Sequence, residues 1–306
     1  MSKKDWLKER QKGIGGSDVA GILGISPFVT PLDVYLDKIG ETEEKPDNPS
    51  MAFGRLMEPV LLQQYQNVTG ESLVSNLQPI ISPKHEFMRA NLDGLTKSGK
   101  VLEIKTARTN NGWGEPGTDE IPNYYLTQVQ HYLAVTDLPI ADVAVLISGC
   151  DFLIYTVEKD LELQEILIEK EAKFWEMVQK RIQPDPVNLK DIIKLYPRSL
   201  KNGIEANQEI IEQIGLLKSL KEQIKDLEEI KEQKELIIKD FIREHDGILM
   251  DNKPLVTWKS DKDSVKTDWE GAFNEIAPKI DGWLDLRLII NKHSKQIPGS
   301  RRFLIK

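Results

Sequence analysis

The sequence predicts a compact α/β domain over residues 1–190, a long helical or coiled-coil segment over 205–245, and a small α+β region over 246–306. Three observations predict this. Helix-like and strand-like runs alternate up to the breaker "QPDPVN" at 183–188, as they do in layered α/β domains. The composition then shifts at 207–244 to a stretch rich in Glu, Lys, Ile and Leu. Beyond it, strand signals are short: "KPLVTWKS" and "RRFLIK".

The first helix is expected from Ser17 to Leu23, behind the glycines of "GIGGSD". The next lies in "TPLDVYLDKIG": Thr30 suits the N-cap, Pro31 the first helical position and Gly40 the stop. A third runs through "MAFGRLMEPVLLQQYQNVTG" and ends at Gly70. "ESLVSNLQPII", "EFMRANLDG" and "GKVLEIKTA" read as strands, the last two joined as a hairpin over "LTKSG". The helix "PNYYLTQVQHYLAVT" follows, then a strand pair, "ADVAVLISG" and "DFLIYTVEK", turning near Gly149. A helix from Leu161 to about Ile182 closes the domain. In the distal segment, Leu217, Leu220, Ile224 and Leu227 alternate three- and four-residue steps, the seam of a coiled coil or packed helix.

Bulk properties narrow the function. The 306 residues are 40% hydrophobic and 29% charged, as in ordinary globular proteins. The single cysteine, Cys150, excludes a disulfide framework or a Cys-based zinc site within one chain, which fits a reducing cytoplasm. "MSKKDWLKERQKG" lacks the apolar run of a signal peptide, and no stretch approaches a membrane span. A net charge of -8 does not exclude nucleic acid, because a basic channel can sit inside an acidic shell. No phosphate-binding Walker loop, dinucleotide fingerprint or Ser/His/Asp order stands out.

The chemistry concentrates around "NLDG" and "LEIKTA". Side chains alternate along a strand, so Glu103 and Lys105 point to one face of an otherwise apolar run. The hairpin would bring Asp93 beside them. Two carboxylates offer hard oxygen ligands for Mg²⁺, and a lysine beside them can orient water or stabilise charge in a phosphoryl transition state. Glu58 in "GRLMEP" is a third candidate carboxylate. Gln128 and Tyr132, on one helix face in "QVQHY", can reach the same place. Upstream, Arg10 and Ser17 flank the glycines of "GIGGSD", a candidate anion site. Taken singly each feature has a plainer reading: Asp-Gly as a turn, Glu-x-Lys as a surface ion pair, Gln128 and Tyr132 as helix surface, Ser17 as an N-cap, Trp6 as packing.

Together, "RQKGIGGSDVAGILG", "GRLMEP", "NLDG", "LEIKTA" and "QVQHY" resemble the PD-(D/E)XK nuclease superfamily, and more closely the YqaJ-type viral recombinases, relatives of phage lambda exonuclease. The resemblance implies a restriction-endonuclease-like core, a central mixed sheet flanked by helices. It implies a metal held by Asp93, Glu103, the backbone carbonyl of Ile104 and Glu58, with Lys105 as catalytic lysine and Gln128 and Tyr132 as the helix motif of the RecB-like subset. Mg²⁺ is the implied ion, with Mn²⁺ the alternative. Arg10 and Ser17 would hold a 5′-terminal phosphate. The implied activity is 5′→3′ exonuclease action on linear double-stranded DNA, leaving a 3′ overhang for a single-strand annealing protein. A homo-oligomer, such as a trimeric ring, is implied as well. Past residue 200 the chain departs from the closest exonucleases. Its basic end, with Arg287, Lys292, Lys295, Arg301, Arg302 and Lys306, reads either as a DNA contact or as a solvated tail. Two rival functions are a DNA endonuclease or nickase on the same fold and a non-catalytic recombination scaffold.

Overall fold

A computed structural model describes residues 9–42, 48–200, 202–261, 268–276, 288, 290–292 and 294. The chain forms two compact units, Met1–Tyr196 and Pro197–Lys306.

In the first unit, β1 (Ile14–Gly15) leads into α1 (Gly16–Ile22) and α2 (Pro31–Ile39). The ends of α2 lie where local chemistry places them. Thr30 Oγ1 accepts the Asp33 N–H at 3.1 Å, Asp33 Oδ2 accepts the Thr30 N–H at 3.1 Å, and Gly40 closes the helix at φ 77°. The third helix, α3 (Pro49–Thr69), starts two residues before the expected Met51, because Asn48 caps it by accepting the Met51 N–H at 2.8 Å.

The strands that follow differ from expectation. "ESLVSNLQPII" contributes only β2 (Ile80–Ile81), plus a single bridge from Leu73 to Thr96. "EFMRANLDG" is not one strand: β3 (Met88–Ala90) and β4 (Gly94–Leu95) belong to different sheets. Between them Asn91, Leu92 and Asp93 turn the chain, and Asp93 Oδ2 accepts the Ile104 N–H at 2.8 Å. A side chain thus takes the hydrogen bond that a longer β4 would have offered, and pairing stops there.

β3 lies between β1 and β2 in a three-stranded sheet. The four-stranded mixed sheet runs β4, β5 (Val101–Ala107), β6 (Ile140–Ile147), β7 (Asp151–Glu158). β5 and β6 are parallel, with Glu103 opposite Val143 and Lys105 opposite Val145; the other pairs are antiparallel. The parallel crossover carries α4 (Asn123–Thr136). Helices cover both faces. Val101 and Ala107 join Val129, Tyr132 and Leu133 of α4 in one core, while Leu102 and Ile104 pack with Leu61 and Tyr65 of α3 in another. The alternation along β5 therefore aims Glu103 and Lys105 at α4. A third core joins α1 and α2 to α5 (Leu161–Gln179). A short α6 (Leu189–Leu195) follows, and its buried Asp191 accepts the Thr30 hydroxyl at 3.0 Å.

The second unit holds α7 (Gln208–Ile242), the hairpin β8 (Gly247–Met250) with β9 (Lys253–Thr257), and α8 (Trp269–Ile276). Leu220, Ile224 and Leu227 of the expected seam are exposed. "RRFLIK", Trp6, Arg287, Lys295, Arg301 and Arg302 lie outside the described residues. Among those described, no helix is long and apolar enough to cross a membrane.

Candidate active site

Glu103, Lys105, Gln128 and Tyr132 gather beside Asp93 where β5 faces α4. Glu103 and Lys105 project from β5 on one face, and Lys105 Nζ lies 2.5 Å from Glu103 Oε1. Gln128 on α4 locks this pair: its Nε2 donates to Glu103 Oε1 at 2.6 Å, and its Oε1 accepts from Lys105 Nζ at 3.2 Å. Gln128 Nε2 also reaches the Tyr132 hydroxyl at 3.0 Å. The orientation of the amide follows from these partners, since an ammonium only donates and a carboxylate only accepts. The Tyr125 ring lies under the ammonium, with Nζ 4.8 Å from its centroid.

One atom in this network has no N–H donor. Glu103 is buried, and its Oε2 meets no donor group among the described residues, while the Asp93 carboxyl lies beside Glu103, close enough to share a proton with it. The electrostatics agree. Burial pushes the Glu103 carboxyl up to about 8; Lys105 opposes that rise and Asp93 adds to it. Burial likewise raises Asp93, against the pull of Lys105 and the Ile104 amide. Glu58, half-buried on α3, is raised by burial and by the charge of Asp93. Burial favours neutral Lys105, but Glu103 and Asp93 outweigh it and hold the ammonium protonated. The site is short of positive charge: three carboxyls share one lysine.

That shortage fits a divalent cation at Asp93 and Glu103, whose donor-free oxygen is a ready ligand. Among the described residues, no three His, Cys, Asp or Glu side chains converge in a closed metal cage. Glu58 is coupled electrostatically to Asp93 and Lys105 without completing such a cage. Ile104 is engaged here through its N–H, to Asp93.

Arg10 and Ser17 line a separate cleft of about 200 Å³, together with Glu9, Asp18, Lys38, Arg89, Asn91 and Tyr132. The start of the helix differs from expectation. The N-cap of α1 is Gly15, not Ser17, and the Gly15 N–H donates to Asp18 Oδ2 at 2.9 Å. A carboxylate of the chain thus occupies the helix start. Arg10 Nη2 pairs with Asp18 Oδ1 at 2.7 Å and its Nε lies 3.6 Å from Asp37 Oδ2. Buried Lys38 reaches Asp18 Oδ2 at 2.5 Å and the Arg10 carbonyl at 2.9 Å. Burial opposes the charged form of Asp18, yet Lys38 and Arg10 hold its pKa below the ordinary 3.8.

Tyr132 is a wall of this cleft and a partner of Gln128, so it joins the two clusters. A Cβ on Gly16 would come within 2.5 Å of its ring. Behind it, His131 is buried with Nδ1 2.9 Å from Glu171 Oε2 and Nε2 3.0 Å from the Arg89 carbonyl. Both partners only accept, so both ring nitrogens donate and the imidazole is charged. This ion pair fixes α4 to α5 and β3.

Sequence reasoning missed Asp18, Lys38, His131 and Arg89. Arg89 and His131 stand inside the motifs "MRANLDG" and "QVQHY", so their position was visible but their burial was not.

A model of the YqaJ-like viral recombinase domain matches residues 5–139. Protein YqaJ of Bacillus subtilis strain 168, itself uncharacterized, is 30% identical over 296 residues, covering 90% of this chain and 91% of that protein. Among solved structures, the alkaline exonuclease LHK-Exo of Laribacter hongkongensis superposes with a TM-score of 0.48 at 20% identity, over 63% of this chain and all of that one. A phage-related exonuclease of Haemophilus somnus gives a TM-score of 0.43 at 15% identity, over 58% of this chain and 98% of its own. The sequence match runs nearly end to end in both proteins, and its domain model covers Arg10, the three carboxyls, Lys105 and the Gln-x-x-x-Tyr helix: the chain belongs to the family of YqaJ-like viral recombinases.

Proposed function

We propose that the protein is a divalent-metal-dependent deoxyribonuclease that shortens one strand of linear duplex DNA from its 5′ end and leaves a 3′ single strand. The observation that carries this is the buried Oε2 of Glu103, without an N–H donor, beside Asp93 and a protonated Lys105. Asp93, Glu103 and the carbonyl of Ile104 would hold Mg²⁺, or Mn²⁺ in its place, with Glu58 at the rim. When bound, the cation supplies Lewis-acid polarisation of the scissile phosphoryl group and neutralises the carboxylates. Lys105, fixed by Glu103 and Gln128, offers N–H donors to the charge that accumulates on the phosphoryl oxygens in the transition state. Gln128 keeps Glu103 and Lys105 in one geometry, and Tyr132 buttresses Gln128. Glu58, half-buried and with its proton affinity raised beside Asp93, would take a proton from the attacking water. The cleft at Arg10 and Ser17 receives the 5′-terminal phosphate, which sets direction. The 3′ strand passes to a single-strand annealing protein in the bacterial cytoplasm, and a homo-oligomer keeps hold of the duplex.

The test is digestion of one plasmid in two forms, closed circular and linear with 5′ phosphates, by wild type and Glu103→Ala in Mg²⁺ and in EDTA. The expected result is loss of the linear form alone, abolished by the substitution and by EDTA. Cutting of the circle would make the protein an endonuclease; cutting of neither would leave a scaffold.

A further inference from the structure

The second unit carries an apolar stripe that its own residues leave in solvent. α7 is 35 residues long, about 52 Å at a rise of about 1.5 Å per residue, and Ile242 is its one buried residue. Leu216, Leu220, Leu227, Ile230, Ile237 and Phe241 are each more than half exposed. With Gln223 and Lys234 they fall at 216, 220, 223, 227, 230, 234, 237 and 241, an unbroken alternation of four- and three-residue steps. That is the a/d repeat of a coiled coil, held for more than three heptads. Leu217 and Ile224 of the expected seam lie on its flank. A stripe this narrow and this regular suits another helix, whereas a helix docked on a globular core shows a wider face with a period of about 3.6.

The residues beside the stripe say what the other helix is. With Leu220 at an a position, Asp226 is a g position and Lys231 an e position. In a parallel pair a g residue lies beside the e residue five positions further along the other helix, and such pairs set partner and orientation. Asp226 therefore meets Lys231 of a second copy, and symmetry repeats the pair. In an antiparallel pair each flank meets its own kind, and Asp226 and Lys231 lose each other. Within the chain neither charge is used up. Asp226 makes no ion pair among the described residues, and Lys231 makes a long one, 3.9 Å to Glu235. Gln223 and Lys234 point the same way. Each interrupts the apolar stripe, and each meets its own counterpart only when the helices are parallel and in register; polar residues at such positions fix register at some cost in stability. The Lys234 stems can carry their ammonium groups out to water. We propose that α7 pairs with α7 of a second copy of this chain, parallel and in register, through the stripe at 216–241. The contact stands whether or not the first unit cuts DNA, and it gives a homo-oligomer a surface outside that unit.

The experiment is disulfide trapping in the full chain. Cys150 is exposed and is the one cysteine of the sequence, so Cys150→Ser leaves no thiol. Into that chain go, one at a time, Leu216→Cys and Ile237→Cys at the two ends of the stripe and Lys225→Cys on the opposite face of the helix. After mild oxidation, a gel without reductant reads the fraction of covalent pairs. Each stripe variant should run mainly as a pair with itself, and Lys225→Cys should stay single. Asp226→Lys, added to the Ile237→Cys chain, should lower the yield of pairs, and Lys231→Asp on top of it should restore that yield, a rescue that misfolding does not imitate. If the stripe variants stay single, or link no more than Lys225→Cys does, no second copy covers the stripe. If Leu216→Cys links to Ile237→Cys in a mixture and neither links to itself, the helices run antiparallel. Either result overturns the proposal.

Discussion

Two buried charge clusters meet at Tyr132, and they are built to opposite rules. On the α1 side, Asp18 is enclosed by Lys38 and Arg10, and its pKa is lowered. On the β5 side, Glu103 and Asp93 share one lysine, their pKa values are raised, and one carboxylate oxygen faces no donor. Burial is the first cause in both, and it pushes the carboxyls the same way. The number of cations decides the outcome. A balanced cluster holds backbone elements together; an unbalanced one stores unmet demand for a cation, which is what a metal-dependent site needs before the metal arrives.

The largest test of this difference is catalytic. Lys105→Ala should reduce cleavage by about three orders of magnitude, the scale of removing a donor to developing charge, and leave DNA binding nearly intact. The paired measurement is single-turnover cleavage beside a binding isotherm in Ca²⁺. Binding lost in step with rate would make Lys105 a structural cation like Lys38.

Stability should separate the clusters next. Asp18→Asn leaves the buried ammonium of Lys38 without its carboxylate and should cost about 3–5 kcal/mol. Glu103→Gln replaces a carboxyl that burial already keeps protonated near neutral pH and should be close to neutral or stabilising in the absence of metal, as read from urea midpoints. Equal losses would erase the distinction. In wild type, saturating Mg²⁺ should restore the missing charge and raise stability by about 2.7 kcal/mol at a hundred times its Kd. Glu103→Gln should show little of that gain.

The pH dependence should also run in opposite directions. Glu103 holds its proton in the folded state up to about 8 against an ordinary 4.5. The stability linked to it is fully present below 4.5 and is lost as pH rises through 8. Asp18 has a folded pKa below its ordinary 3.8, so its contribution is present above 3.8 and is lost as pH falls through the folded value. His131, raised by Glu171 against burial, also loses its contribution as pH rises past its ordinary 6.5. Subtracting the metal-free profile of Glu103→Gln from that of wild type isolates the carboxyl. A flat difference between pH 4.5 and 8 would show that Glu103 is ionised throughout.

The catalytic cluster was far more legible in sequence than the balanced one, and the reason is physical. β5 announces itself because apolar neighbours alternate with Glu103 and Lys105, so a period of two assigns both to one face. α2 announces itself through Thr30, Pro31 and Gly40. Asp18 and Lys38 carry no such mark: each looks like a solvated helix residue, and only the docking of α1 on α2 buries them against each other. The splitting of "EFMRANLDG" was hidden for a similar reason. Asp93 reads as a strand residue until its carboxylate is seen on the Ile104 amide, which ends β4. Arg89 lay in plain view inside that motif, but the burial of its Nε without a hydrogen-bond partner is a property of three-dimensional surroundings.

The finest test concerns the wall between the clusters. Gly16 approaches the Tyr132 ring so closely that a Cβ would sit 2.5 Å from a ring carbon and 3.0 Å from the Gln128 carbonyl oxygen. Gly16→Ala should therefore displace Tyr132 at a cost of about 1–3 kcal/mol, the range for overpacking. Tyr132 bonds to Gln128, and Gln128 to both Glu103 and Lys105, so the displacement should pass to the unbalanced cluster through that chain. Asp18 has no bond to Tyr132, and its pairing with Lys38 should survive. The expected signature is a fall in the turnover rate with the acid limb of the stability profile, which Asp18 sets, kept as in wild type. If the acid limb moves and the turnover does not, the strain runs into the balanced cluster, and Tyr132 belongs to that wall rather than to the active site.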